Sequence, residues 1–316
     1  MNRKHANLML LLAAVLWGSG NVAQQTVLAH VGPLTANGLK CLIASAVILP
    51  FCRGTAAKAR KLGWSGWGWA IAVIISFAVA STLMQMGVGQ TTVTNAGFLV
   101  NATTVFTPLA SWLMLYERPR AFAWPAAACA FTGVCLMSGG SPFSLASGDL
   151  LCLASAVAYA EWAVFLGAFV TRFGAPGLVT LLQFGATAAI CLVLAAFTEP
   201  PALKDVLDAG PELALLGVFS TALAYFLQAE AQRHTSAGEA ALVVSTEAIF
   251  GAIAAMVALD EQPSISGIAG AGLIIGGIVV VEAGPMISRV LTPAASAVSV
   301  VHAPYPDRAS GPRFGL

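Results

Sequence analysis

Apolar stretches of roughly twenty residues recur along the chain, separated by short breaks rich in Gly, Pro and Ser. Helices of about that length cross the hydrocarbon layer of a bilayer. The pattern predicts ten of them, near residues 7–27, 33–52, 68–88, 92–115, 122–139, 148–169, 176–197, 211–229, 236–258 and 264–283. Turn-forming sequences punctuate them: VGP at 31–33, SGGSP at 138–142, FGAP at 173–176 and EPP at 199–201. The separations at 88–92 and 229–236 are the least polar. The first stretch follows a basic start but continues past Trp17 to about Leu28, so it reads as a retained span rather than a leader. Short loops between spans predict an all-α transmembrane bundle with antiparallel neighbours. Beyond residue 284 the pattern stops, and residues 285–316 read as a disordered cytoplasmic tail.

Composition agrees with lipid as the main solvent. Only 9% of residues are charged and 58% are hydrophobic, whereas a soluble domain carries about a quarter of its residues as Asp, Glu, Lys or Arg. Charge placement then orients the chain. With the N-terminus in the cytoplasm, Arg3, Lys4, Arg53, Lys58, Arg60, Lys61, Arg118, Arg120, Arg172 and Arg233 all fall on that side, and Lys204 alone falls outside. Such a bias sets membrane orientation, and it puts both termini in the cytoplasm. No basic patch suits nucleic acid. Cys41, Cys52, Cys129, Cys135, Cys152 and Cys191 form no CxxC or Cys/His cluster, and the four histidines have no metal spacing. No cofactor, metal or catalytic triad is expected, and the chain does not read as an enzyme.

The sequence is also internally duplicated. Residues 91–117 can be laid over 234–261 by matching Glu117 to Glu261, which also matches Thr91 to Thr235 and Asn95 to Glu239. VLWGSGNVAQQ and VAYAEWAVFLG open the two halves in parallel fashion. Five spans per half force the second copy to cross in the opposite sense, giving inverted repeats at 1–144 and 145–284. Inverted repeats place a central site at the interface between halves, as in secondary transporters. Gly18, Gly20, Gly276 and Gly277 read as close helix contacts. The other reading has Gly18, Ser19 and Gly20 lining a path or forming a flexible point.

Polar groups at membrane depth are the candidate functional residues, since buried charge in a span is costly unless it finds a partner or a wet cavity. Glu161 lies mid-way along the sixth span, Glu247 deep in the ninth and Lys40 within the second. Lys40 matches Gln183 of the seventh span across the repeat. Snorkelling is the bland reading for Lys40, and helix capping for Glu239. Glu161 and Glu247 are the candidates for proton coupling; a permanent Glu161–Lys40 pair is the structural alternative for the former. Trp17, Tyr159, Tyr225 and Asn95 complete the candidate substrate path. Phe98, Trp112 and Trp162 are further aromatics within spans, Trp64, Trp67 and Trp69 read as interfacial anchors, and Pro108 is expected to bend the fourth span.

The series LLAAVLWGSGNVAQQ, GPLTANGLKCLIASAVILP, TTVTNAGFLVNATTVFTPLASWLMLYE and GVFSTALAYFLQAEAQRHTSAGEAALVVSTEAIFGAIAAMVALDE resembles the drug/metabolite transporter superfamily, and within it the EamA-type ten-helix transporters. The resemblance covers about residues 7 to 284. It implies a carrier of small metabolites, amino acids or drugs in a bacterial inner (plasma) membrane. It makes Glu247 the equivalent of the family's ninth-span acid, and Glu117 and Glu261 the acids that end each repeat's fourth helix. Departures are Ala248 where a proline follows that acid, and Lys40 where arginine is common in the second span.

The leading expectation is therefore a multi-pass secondary transporter, an exporter of small metabolites, amino acids or amphiphilic drugs, with protons as a candidate coupling ion. Its partners would be a small-molecule substrate and the lipid bilayer, and a homodimer fits the reading. A nucleotide-sugar or phosphorylated-metabolite antiporter is the alternative. It needs several cationic groups in its cavity, whereas Lys40 is the one basic residue at membrane depth. A non-transporting structural or sensory membrane protein is the third reading.

Overall fold

A computed structural model describes residues 3–52, 59–116 and 146–291 apart from positions 236, 245 and 263, with short pieces between 124 and 136. The described residues form helices and turns, with no strand among them. We number the helices α1 (Arg3–Thr26), α2 (Pro33–Ile48), α3 (Gly63–Val88), α4 (Val93–Asn101), α5 (Thr103–Leu115), α6 (Ser147–Phe173), α7 (Pro176–Thr198), α8 (Leu203–Asp208), α9 (Gly210–Leu215), α10 (Ala224–Ala231), α11 (Ala237–Val244), α12 (Glu247–Ala258) and α13 (Ile265–Leu291). A π-helical segment, Leu216–Leu223, joins α9 to α10.

Among the described residues seven helical segments are long and apolar enough to cross a membrane: Lys4–Ala29, Pro33–Cys52, Gly63–Val88, Val93–Leu115, Ser147–Phe173, Pro176–Thr198 and Gly210–Ala231. The expected fifth span, 122–139, lies mostly outside the described residues. The expected ninth is two shorter helices, α11 and α12, and α13 runs over the tenth. The outward faces are apolar, as lipid requires: Ile71, Ile75 and Val79 are exposed on α3, and Ile190, Val193, Leu194 and Phe197 on α7. The inward faces build one main core around Phe77, Leu166, Phe169 and Phe184. In that core α3 packs on α6 and α2 on α7, while α1 lies against α12.

Helix starts are fixed by acids that come from far along the chain. Glu199 accepts from Leu34 N (3.2 Å), Thr35 N (3.0 Å) and Thr35 Oγ1 (3.2 Å) at the start of α2. Glu261 does the same for α4, accepting from Val93 N (2.9 Å), Thr94 N (3.1 Å) and the Thr94 hydroxyl. Each carboxylate meets the unpaired N–H groups and positive dipole end of a helix. Both join segments more than 160 residues apart, so they pin the early helices to the late ones.

Two fourth-helix interruptions matter for the site. The Val93–Leu115 segment breaks at Ala102, and the later one breaks between Val244 and Glu247. Pro108, expected to bend the fourth span, sits inside α5. Around it the Thr107 hydroxyl donates to Thr103 O at 2.7 Å, and the discontinuity falls six residues earlier. Tyr116 (φ 58°) and Asp260 (φ 52°) are the two non-glycine left-handed residues among those described. They are separated by the offset that aligns Glu117 with Glu261; Tyr116 caps α5 directly, and Asp260 follows Leu259, the cap of α12.

Candidate functional site

The break before Glu247 makes it the first residue of α12, a favourable place for an acid because the helix dipole is positive there. It is 7% exposed. Its Oε1 accepts from Asn21 Nδ2 at 3.1 Å. Asn21 belongs to α1, which comes this close because Gly18 faces the break. A Cβ on Gly18 would lie 2.7 Å from Glu247 O and 2.8 Å from Gly251 N. Two residues further on, a Cβ on Gly20 would lie 2.6 Å from Ser220 Oγ in the π-helical segment. The close-packing reading of these two glycines accounts for their positions. A Cβ on Gly276 would meet nothing within 4 Å among the described residues.

Trp17, Asn21 and Gln24 fall at i, i+4 and i+7, one face of α1. From that face polar side chains continue toward Lys40. Gln24 Nε2 donates to Asn21 Oδ1 at 3.1 Å, and Lys40 Nζ donates to Gln24 Oε1 and Gln85 Oε1, both at 2.8 Å. Gln85 Nε2 returns to Gln24 O at 3.1 Å. Lys40 is 7% exposed and Gln85 is fully buried. A buried ammonium needs acceptors, and here two neutral amides supply them.

Lys40 and Glu247 line one partly open cavity. Its wall also carries Trp17, Phe77, Tyr159, Trp162 and Tyr225. Tyr225 is the hub of these rings. Its centroid is 4.7 Å from Trp17, 5.0 Å from Phe77 and 5.4 Å from Trp162, all edge-on. The Tyr159 and Tyr225 hydroxyls are hydrogen-bonded at 2.9 Å. Trp17 Nε1 is buried without a hydrogen-bond partner among the described residues, leaving one indole donor in the wall. Apolar rings with a few convergent polar groups are the usual make-up of a small-molecule site. Residues from 17–104 and from 159–247 contribute to it together.

Five of the eight sequence candidates thus meet at this cavity: Lys40, Glu247, Trp17, Tyr159 and Tyr225. Gln183 stands just behind it, accepting from Trp162 Nε1 at 2.9 Å rather than facing Lys40 as a pair. Asn95 lies in the first turn of α4, its N–H on the Thr92 hydroxyl, away from the cavity. Glu161 is half-buried and does not line the cavity. It extends the stripe of Leu150, Ala154 and Val157, whereas the cavity face of α6 carries Tyr159, Trp162 and Ala163. At 3.6 residues per turn, Glu161 falls nearly opposite that face. The expected alternative, a Glu161–Lys40 pair, does not form: Lys40 spends its donors on Gln24 and Gln85. Asn21, Gln24, Gln85 and Gln228 were not among the candidates, though all four line or adjoin the cavity. The i, i+4, i+7 spacing of Trp17, Asn21 and Gln24 is the signal that would have found two of them. Glu239 and Glu117 lie outside the described side chains.

Long apolar helices, broken spans and a polar cavity bounded by both define a multi-pass membrane protein of the transporter class. The EamA-like transporter family matches the chain twice, over residues 4–139 and 146–283. The chain belongs to that family. It is 29% identical over 285 residues to a protein of Archaeoglobus fulgidus named "Uncharacterized transporter", a match covering 89% of this chain and 87% of the relative. It is 22% identical over 296 residues to "Uncharacterized transporter YwfM" of Bacillus subtilis, covering 88% and 94%. A solved structure described only as "Crystal structure of protein" superposes with a TM-score of 0.67 at 21% identity, covering 92% of this chain and 99% of the other, and shares the fold.

Proposed function

We propose that this transporter is a ten-span secondary carrier that moves a small zwitterionic or amphiphilic metabolite, an amino acid in the first instance, outward through the central cavity. The observation that carries this reading is one cavity whose lining, among the described residues, holds a single cation, Lys40, a single anion, Glu247, and several aromatic rings. Lys40 suits a carboxylate, Glu247 an ammonium group or a coupling proton, and the rings an apolar side chain. A nucleotide sugar or phosphorylated metabolite fits less well, because Lys40 is the one cationic group in the lining among the described residues.

Two five-helix repeats of opposite topology, at 1–144 and 145–284, are part of the proposal. The double family match, the paired left-handed turns at Tyr116 and Asp260 and the two broken fourth helices support them. Broken helices at a midplane site are a recurrent device of such carriers. With cytoplasmic termini in a bacterial inner membrane, reporter fusions after Arg60, Arg120 and Arg172 read cytoplasmic and one near Lys204 reads external. A cytoplasmic reading at Lys204 rejects the topology.

Purified protein in proteoliposomes, loaded with unlabelled neutral amino acids, tests the function by counterflow of the labelled compounds. Accumulation that disappears in Glu247→Gln and Lys40→Met, with both variants folded, is the expected result. Accumulation of nucleotide sugars instead, or of nothing in either set, overturns the substrate reading.

A further inference from the structure

The hydrogen bonds between Lys40 and Glu247 have a direction that chemistry dictates. Orientation of an amide is normally a matter of choice between two flips. Here it is fixed, because an ammonium only donates. Gln24 therefore turns Oε1 to Lys40 and Nε2 to Asn21, and Asn21 in turn shows Oδ1 to Gln24 and Nδ2 to the carboxylate. Every link runs from cation to anion. Flipping either amide alone would set donor against donor or acceptor against acceptor.

We propose that Asn21 and Gln24 form a one-way amide relay through which neutralisation of Glu247 loosens Lys40, freeing its ammonium for an anionic group of the substrate. This rests on the carrier reading above and adds two positioning residues to it. Links of one sense polarise one another, so the charge at each end strengthens the whole chain. A proton from the aqueous phase, or the cationic group of a substrate, removes the negative charge at Glu247. The bond from Asn21 then weakens, and with it the hold of Gln24 on Lys40. Lys40 keeps Gln85 as its second acceptor, so it gains freedom without losing all support. By linkage, an anion that draws Lys40 away from Gln24 acts back on proton occupancy at Glu247 to the same extent. A zwitterion that engages both ends thus binds cooperatively through the protein, even though its charges touch different helices.

The other titratable groups facing the chain are few. Tyr159 and Tyr225 stand beside Glu247 from α6 and α10. Cys41 of α2 and Cys191 of α7 stand beside Lys40. No Asp, Glu, Lys, Arg or His other than Lys40 and Glu247 lines the cavity among the described residues.

The test is a double-mutant cycle on the carboxyl titration, read by pH-difference infrared spectroscopy on the full chain in lipid nanodiscs. The carboxyl band of Glu247 is identified by its loss in Glu247→Gln. Lys40→Met is expected to displace the titration midpoint by about two pH units when the relay is intact: about one from the direct Coulomb coupling over about 10 Å at an effective dielectric near 20, and about one more carried by the amide chain. In a Gln24→Met background the displacement is expected to fall to about the one unit that the direct Coulomb coupling supplies. Asn21→Leu breaks the relay at its other link, gives the same attenuation, and serves if Gln24→Met does not fold. No transported compound enters this measurement, so a failed counterflow assay and a failed relay are distinct results. Equal displacements in the intact and broken backgrounds, or none in either, overturn the relay.

Discussion

Replacing Lys40 by Met sets two large effects against each other, and the structure supplies both sides. The ammonium donates to Gln24 and Gln85 at 2.8 Å from a position 7% exposed. Hydrogen bonds to a charged group contribute roughly 1.5–3 kcal/mol each. Against that loss stands the relief of no longer holding a lysine at membrane depth, about 2.5–3.5 kcal/mol on insertion scales. Gln24 keeps its bond to Asn21, and Gln85 its bond to Gln24 O. The two bonds together outweigh that relief, so the folded protein is expected to lose up to about 3 kcal/mol of stability. Transport has no such compensation. A substrate carboxylate deprived of its cation loses a charge-assisted contact, roughly a 10- to 100-fold weaker interaction. Thermal unfolding in detergent and counterflow in proteoliposomes, both normalised to folded protein, measure the two quantities separately. Transport within twofold of wild type, or a stability loss beyond about 4 kcal/mol that accounts for all lost flux, would falsify the assignment of Lys40 to the substrate path.

Four further outcomes follow from other parts of the molecule. Glu261→Gln keeps an acceptor but loses the charge at the start of α4, and is expected to lower stability by about 1 kcal/mol, with Glu261→Ala costing about twice that; equal melting curves for all three proteins would refute the pinning role. Gly18→Val drives α1 from the backbone at Glu247, and is expected to cost about 1–3 kcal/mol and to abolish counterflow in whatever protein remains folded. Glu161→Gln, on the face of α6 away from the cavity, is expected to leave proton-dependent transport within twofold of wild type, whereas Glu247→Gln removes its pH dependence; the reverse pattern would restore Glu161 as the coupling acid. Tyr225→Leu, at the hub of the ring cluster, is expected to weaken transport of compounds with large apolar groups about 10-fold or more, and small polar ones less.

The spans were legible because lipid imposes length, and Gly and Pro punctuate the gaps; α1, α2, α3, α6 and α7 overlie the predicted segments closely. Lys40 and Glu247, charges within apolar spans, were legible too, and both line the cavity. Direction around the helix was not. Glu161 and Tyr159 are two residues apart on α6, yet one faces the cavity and the other nearly away from it. In a span that is apolar on all sides, no polar face marks the inward side, so helix phase has to come from packing. The amides were overlooked for a related reason. A neutral Asn or Gln costs far less in a span than a charge, and attracts less notice, but Asn21, Gln24 and Gln85 supply every partner the two buried charges have within the described residues. The interruption at Ala102 was not legible, because a contact to α6 accompanies it. Thr103 Oγ1 reaches Ala156 O of α6 at 3.2 Å there, an interaction between residues 53 apart that no local rule anticipates.

The same elements explain why the two charges stay apart rather than forming a direct pair. Glu247 is held at a helix start by the break between α11 and α12, and α1 is locked beside it by Gly18. Lys40 is held on α2, where Gly217 of the π-helical segment closes on its carbonyl, an added Cβ there lying 3.2 Å from Lys40 O. A direct ion pair would neutralise both groups and leave nothing for a ligand, and a buried pair gives little net stability once desolvation is counted. Joining them through two amides satisfies each charge while the cavity lies between them. A ligand with both charges can then exchange with the amides bond for bond, so that binding does not strand either group. Inserting a direct partner tests this: Gln24→Glu gives Lys40 a carboxylate of its own and is expected to suppress counterflow at least 10-fold while raising or preserving thermal stability. Retained counterflow in that variant would mean that the exchange of amides for ligand is not how the cavity is filled.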